Sequence, residues 1–151
     1  MRFACGFDHG GYSLKGIVLD TLKADGHVPI DLGADELEPG DDYPDFALAV
    51  VRAMLAGDAE RGILVCGSGA GVAVAATKVE GIRAAMAHDT YTAAQCVSHD
   101  DCNVACLGAR VVGSAYAADI VRAFAGAEFS GEERHRRRLD KVSEIERKGE
   151  P

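Results

Sequence analysis

The chain has 151 residues, a formal net charge of −8, 48% hydrophobic residues and 26% charged ones. That length suits one domain, residues 1–151, with one substantial core, and no run approaches the ~18 apolar residues a membrane-spanning helix needs. The acidic balance argues against nucleic-acid binding, and five cysteines without paired CxxC spacing read as reduced thiols. No signal-peptide pattern opens the chain, so the expectation is a cytoplasmic protein that neither binds nor crosses a membrane.

Taken in order, Arg2 to Phe7 reads as a strand followed by the loop Asp8-His9-Gly10-Gly11. Tyr12, Leu14, Ile17, Val18, Leu19 and Leu22 then fall at helical spacing, and Gly26 closes that helix. Val28 to Leu32 is a second short strand, leading into an acidic loop from Asp35 to Asp42. Asp42-Tyr43-Pro44-Asp45 starts a helix with Pro44 in its first turn and Phe46, Ala49, Val50, Ala53 and Met54 on its apolar face. Gly62 to Cys66 is a third strand, Val72 to Ala76 a small-residue helix and Ile82 to Met86 a fourth strand. Asp89 or Thr90 caps the next helix, Cys102 to Leu107 is a fifth strand, and Ala115 to Phe124 is helical. The tail from Ser130 to Lys148 reads as a strongly charged helix.

This alternation predicts an α/β protein with a Rossmann-like, doubly wound, five-stranded parallel sheet in three layers. The last helix has little room in such a domain, so it is expected to pack on a partner subunit. In an open parallel sheet, ligands bind beyond the carboxyl ends of the strands. The densest glycine loop there is Gly67-Ser68-Gly69-Ala70-Gly71, directly after Cys66. Its spacing is G-x-G-x-G, it follows the third strand rather than the first, and no acidic residue ends the next strand, so it does not fit a dinucleotide fingerprint. The glycines allow backbone N–H groups to converge on an anion, and a thiol beside such donors can act as a nucleophile or a base.

Asp8 and His9 follow the first strand and His99 and Asp100 precede the fifth, so loops from several strands are expected to converge on one crevice. Taken singly, each histidine has a surface or capping role as its alternative. Arg134-His135-Arg136-Arg137-Arg138 is the densest positive cluster of this acidic chain. It is either a solvated helix face or a phosphate clamp in which Arg134 and Arg138 lie one turn apart, with Arg110 able to join them.

At these residues the sequence resembles the ribose-5-phosphate isomerase B family, which includes galactose-6-phosphate and allose-6-phosphate isomerases. Asp8 to Gly11 is similar to the family's DHAG, Asp42 to Asp45 to DYPD, and Cys66 to Gly71 to CGSGxG or CGTGxG. Thr77 to Ala85 resembles NKVPGIRAA, His88 to Tyr91 is HDTY, Asn103 to Arg110 resembles NV…LGAR, and Arg134 to Arg138 resembles RHxRR. The resemblance implies an aldose–ketose isomerase acting on ribose 5-phosphate and ribulose 5-phosphate through a cis-enediolate, without metal or other cofactor. It implies Cys66 as the base, with Ser68 and the N–H groups of Gly69, Ala70 and Gly71 on the enediolate oxygens and Gly67 beside them. Asp8 would relay protons and His99 would open the furanose ring. His9, Arg110, Arg134 and Arg138 would bind the phosphate, and Tyr43 would line the sugar pocket. It further implies a homodimer, or dimer of dimers, with sites shared between subunits.

One departure stands out: the usual His-Asn-Asn or His-Asn-Asp is His99-Asp100-Asp101 here. Ionised Asp100 cannot donate a hydrogen bond and would repel an enediolate, so Asp100 is protonated, faces another sugar hydroxyl, or yields its role to Asn103 or a water. The expected consequence is a changed sugar preference, with Asp100 across from Cys66. The alternatives are the same chemistry on a tetrose or hexose phosphate, or a non-catalytic phosphosugar-binding protein.

Overall fold

Apolar residues alternate between two faces of each strand, so helices are needed on both sides of the sheet to cover them. A computed structural model describes residues 1–149; the last two residues of the expected domain lie outside the described residues. The elements are β1 (Arg2–Phe7), a 3-10 turn (Tyr12–Leu14), α1 (Lys15–Ala24), β2 (Val28–Asp31), α2 (Tyr43–Leu55) and β3 (Arg61–Cys66). They continue as α3 (Ala70–Ala76), β4 (Ala84–Met86), α4 (Thr90–Asp100), β5 (Val104–Gly108), α5 (Ser114–Gly126) and α6 (Glu133–Lys148). The sheet order is β2-β1-β3-β5-β4, with every pairing parallel.

Phe3, Cys5, Phe7, Ile63, Val65, Ala105 and Leu107 face one layer, packed by Val18 and Leu22 of α1, Val97 of α4 and Ile120 and Phe124 of α5. Ala4, Leu64, Cys66, Val104 and Cys106 face the other, against Val50 and Val51 of α2 and Val72 and Ala76 of α3. Phe3, Phe7 and Phe124 are wholly buried, each contributing about 1.5–3 kcal/mol of apolar burial.

The chain leaves β1 for β2 on one side and returns through β3 on the other, so the strand order reverses between β1 and β3. That switch point opens a crevice between the loops after the two strands. Boundaries differ from expectation where backbone bonds are spent elsewhere. The fourth strand starts at Ala84 rather than Ile82, whose N–H donates to Val79 C=O in a turn. The fifth starts at Val104 because Cys102 N–H bonds Cys96 C=O in the exit from α4. The last helix begins at Glu133 and, within its own chain, seats against the end of α4 through His135, which is 1% exposed. No helix among the described residues is long and apolar enough to cross a membrane.

Candidate active site

Cys66 is the last residue of β3, and its Sγ accepts the Gly69 N–H at 3.1 Å. The loop can fold back this way because Gly69 has φ +80°, a conformation L side chains resist. Ser68 Oγ is exposed and accepts the Ala70 N–H at 3.3 Å. The β1 loop lies alongside. Asp8 is buried, and its Oδ1 accepts the Gly11 N–H at 2.8 Å. A side chain on Gly10 would come within 2.8 Å of Gly67 N, so the two loops are in close backbone contact.

Two further side chains frame the crevice. Gly71 leaves room for the Tyr43 ring, which an added Cβ would meet at 3.0 Å. Arg110, two residues beyond β5, carries its guanidinium over Gly67, where an added Cβ would lie 3.4 Å from Cζ. Its N–H donates to Gly67 C=O at 3.0 Å. A cavity of about 340 Å³ results, lined by Asp8, Tyr43, Cys66, Ser68 and Arg110 among others.

His9 sits at the crevice edge, tied through Nδ1 to Asp41 Oδ1 at 2.6 Å. That bond raises the His9 pKa above its ordinary value, with burial opposing and the charges of Asp8 and Asp41 assisting. Burial pushes the Asp8 carboxyl up, partly offset by the Gly11 N–H. Asp41 Oδ2 is buried without a hydrogen-bond partner among the described residues. Asp8, His9 and Asp41 hold one ligand atom each within 4.8 Å of one another, the only such cluster among the described residues. Because His9 Nδ1 is committed to Asp41, the trio serves as a hydrogen-bonded ion pair beside an acid.

The remaining expected residues lie elsewhere. β5 pairs Cys66 with Gly108 at one end and Gly62 with Val104 at the other, so residues just before Val104 emerge at the opposite sheet edge. Five residues of strand separate the two edges, roughly 16 Å. His99, Asp100 and Asn103 are at that far edge, near Arg134 and Arg138 of α6. A groove of about 470 Å³ runs between α6 and the start of β4, lined by Arg83, Asp100, Arg138, Leu139, Val142 and Ile145 among others. Val142 and Ile145 are 52% and 56% exposed.

Three expectations are corrected. The loops before and after strands do not converge on one crevice in a single chain, because they leave opposite edges of the sheet. For the same reason Asp100 does not face Cys66 within one chain, and Arg110 does not join Arg134 and Arg138 there. Asn103 is a structural clip: its Oδ1 accepts the Arg83 N–H at 2.9 Å and its Nδ2 donates to Gly81 C=O at 2.9 Å.

Four contributors escaped sequence reasoning. Asp41 reaches His9 across 32 residues of chain, a distance no local pattern reveals. His88 Nε2 accepts the Gly108 N–H at 3.0 Å and braces the end of β5. His135 stacks on His99 with ring centroids 4.1 Å apart and planes at 28°. Ser130 Oγ holds His135 Nδ1 at 2.6 Å.

Fold and site together define a parallel α/β protein with a thiol, a ring of backbone donors and an arginine at its switch point, a layout suited to an anionic small molecule. The Ribose/Galactose Isomerase family profile matches residues 3–142. Ribose-5-phosphate isomerase B of Mycobacterium tuberculosis is 41% identical over 147 residues, covering 97% of this chain and 91% of that protein. The Clostridium thermocellum ribose-5-phosphate isomerase B structure superposes with TM-score 0.94 at 46% identity, covering 99% and 100% of the two chains. The Mycoplasma genitalium enzyme with bound ribulose-5-phosphate gives TM-score 0.90 at 40% identity, covering 97% of each chain. The chain belongs to the ribose/galactose isomerase family.

Proposed function

We propose that the chain interconverts ribose 5-phosphate and ribulose 5-phosphate by proton transfer between C1 and C2. The observation that carries this reading is Cys66 Sγ under the Gly69 N–H, in a crevice that also holds buried Asp8. Abstracting a proton beside a carbonyl needs a base at the carbon and donors at the oxygen where charge develops. The Cys66 thiolate takes the C2 proton of the open-chain aldose. The C–H electron pair becomes the C1=C2 double bond, and the carbonyl pair moves onto O1. The thiol, now neutral, returns the proton to C1 as O2 becomes the ketone. Charge thus passes from sulfur to oxygen across one set of donors, Ser68 Oγ and the loop N–H groups. Asp8, whose carboxyl burial pushes up, is suited to carry the proton that must move from O2 to O1.

The phosphate falls to His9, which Asp41 keeps readily protonated, and to Arg110. His99, Arg134 and Arg138 complete the same site when a second copy places its far sheet edge against the first copy's crevice. The exposed apolar stripe of Val142 and Ile145 beside the groove supports such a partner. This gives α6 the partner-packing role expected for it, in a homodimer or dimer of dimers. In that assembly His99 protonates the furanose ring oxygen and Asp100 lies beside the sugar. Asp100 is exposed and has no ion-pair or hydrogen-bond partner among the described residues, which favours a preference shifted toward another aldose phosphate as the second reading.

Cys66→Ala tests the chemistry. It is expected to lower kcat by about 10³-fold or more while ribulose 5-phosphate binding, read by calorimetry, stays within about threefold. Retained turnover would require another base. Lost binding would remove the case for Cys66 as a purely chemical group.

A further inference from the structure

Among the described residues His135 is the only wholly buried histidine, and the proton transfer between C1 and C2 gives it nothing to do. Its surroundings are specific. Ser130 Oγ accepts the Glu132 N–H at 3.3 Å and shares a hydrogen bond with His135 Nδ1 at 2.6 Å, so the serine is fixed by the first turn of α6 and fixes the ring in turn. Ser130 N–H donates to Ser98 C=O at 3.0 Å, which ties this loop to the last turn of α4, one residue before His99. The two imidazoles lie face to face, 4.1 Å between centroids and 28° between planes.

We propose that His135 is a positioning residue for His99: the ring held by Ser130 sets the plane of the His99 imidazole so that it can protonate the ring oxygen of a closed furanose. The proposal rests on the reading of His99 as the ring-opening acid. His99 is at the final turn of a helix and only half-buried, where an unsupported side chain would sample several rotamers. A flat, buried partner removes that freedom at little entropic cost, since His135 is already immobilised by burial and by Ser130. Charge works the same way. Burial, then His99 and Arg134, hold the His135 pKa below its ordinary value, with Glu132 opposing and Arg138 assisting. Burial thus favours the neutral form of the His135 ring, the flat apolar face on which His99 stacks.

In the step served, His99 gives its proton to O4 and the C1–O4 bond breaks with its electron pair going to O4. The C1 hydroxyl gives its proton to water as the aldehyde forms, and solvent restores the proton on His99. Ribulose 5-phosphate never needs this step: its O5 carries the phosphate and closure through O4 would make a four-membered ring. Proton transfer alone is therefore read from solvent deuterium entering C1 of ribulose 5-phosphate, and ring opening plus proton transfer from conversion of ribose 5-phosphate.

The test measures both reactions in His135→Ala, His135→Phe and Ser130→Ala, with circular dichroism to show that each variant folds. The expected result for His135→Ala is a fall of about 10- to 100-fold on ribose 5-phosphate, with exchange at C1 within about threefold of the parent. His135→Phe keeps a flat, neutral ring and should recover most of the loss, and Ser130→Ala should fall between. Equal loss of both reactions, loss of neither, or a phenylalanine variant no better than alanine would each overturn the positioning role. His99→Asn separates the layers. If it converts ribose 5-phosphate normally, the reading of His99 fails and the proposal with it; if it is impaired while His135→Ala is not, only the positioning role fails.

Discussion

The two edges of the sheet are built on different principles. At the switch-point edge a thiol, a carboxyl and backbone donors share one crevice, in loops pressed so closely that Gly10, Gly11 and Gly108 have no room for a side chain. The far edge carries side chains of helices instead, half-buried His99 in the last turn of α4 and exposed Arg134 and Arg138 in the first two turns of α6. Their histidines are opposite in electrostatics: His9 is held toward its charged form by Asp41, and His135 toward its neutral form by burial. One edge resembles a finished anion hole. The other is an exposed set of donors in which Arg134 already pairs with Glu132 at 2.8 Å, and the proposed reading makes the two edges halves of one site.

Breaking the far half should cost binding more than chemistry. Replacing both Arg134 and Arg138 with alanine is expected to raise KM for ribose 5-phosphate by about 100-fold or more with a smaller change in kcat, because each guanidinium–phosphate contact is worth about 1.5–3 kcal/mol. Steady-state kinetics decides it. A kcat loss at unchanged KM would move the arginines out of phosphate binding.

The opposed histidines give a sharper test by pH. His9 has a raised folded pKa, so its contribution to stability is complete below the ordinary value of 6.5 and is lost as pH rises through the folded value. His135 has a lowered one, so its contribution is present above 6.5 and is lost as pH falls toward the folded value. Urea midpoints should therefore show Asp41→Asn least stable relative to the parent at low pH, the gap closing as pH rises. His135→Phe should gain on the parent as pH falls below 6.5. Parallel slopes for the two variants would contradict the contrast.

The smallest effect concerns Asp100, a carboxylate on the last residue of α4, where the helix dipole is unfavourable to it. Asp100→Asn should stabilise the fold by about 0.3–1 kcal/mol in urea unfolding. It should also shift kcat/KM among four-, five- and six-carbon aldose phosphates. Unchanged kcat/KM across that panel would leave Asp100 without a part in substrate choice.

Much of this was legible in the sequence. The alternation of elements, the Asp89 N-cap, which accepts the Thr92 N–H at 2.6 Å, and the turn after Cys66 all follow from local rules. Which edge each loop occupies was less visible, although the rule is simple: in a parallel sheet, residues after a strand and residues before one lie on opposite sides. Cys66 ends a strand and Asp8 and Arg110 follow one, whereas His99, Asp100 and Asn103 precede one. Asn103 reads as a polar loop residue and proves to be a clip between backbone groups 20 and 22 residues away, a pairing set by tertiary contact alone. Asp41 and Ser130 were invisible for the same reason, each small in sequence signal and large in what it holds.

If one site is assembled from two copies, mixing inactive chains restores it. Cys66→Ala and His99→Asn chains, each impaired alone, are unfolded together and refolded as a mixture. Half of randomly paired dimers are then mixed, and each mixed dimer holds one intact site of two, so about a quarter of parental ribose 5-phosphate turnover should return. A mixture no more active than its components, from dimers shown to have exchanged, would mean that Cys66 and His99 do not meet across subunits.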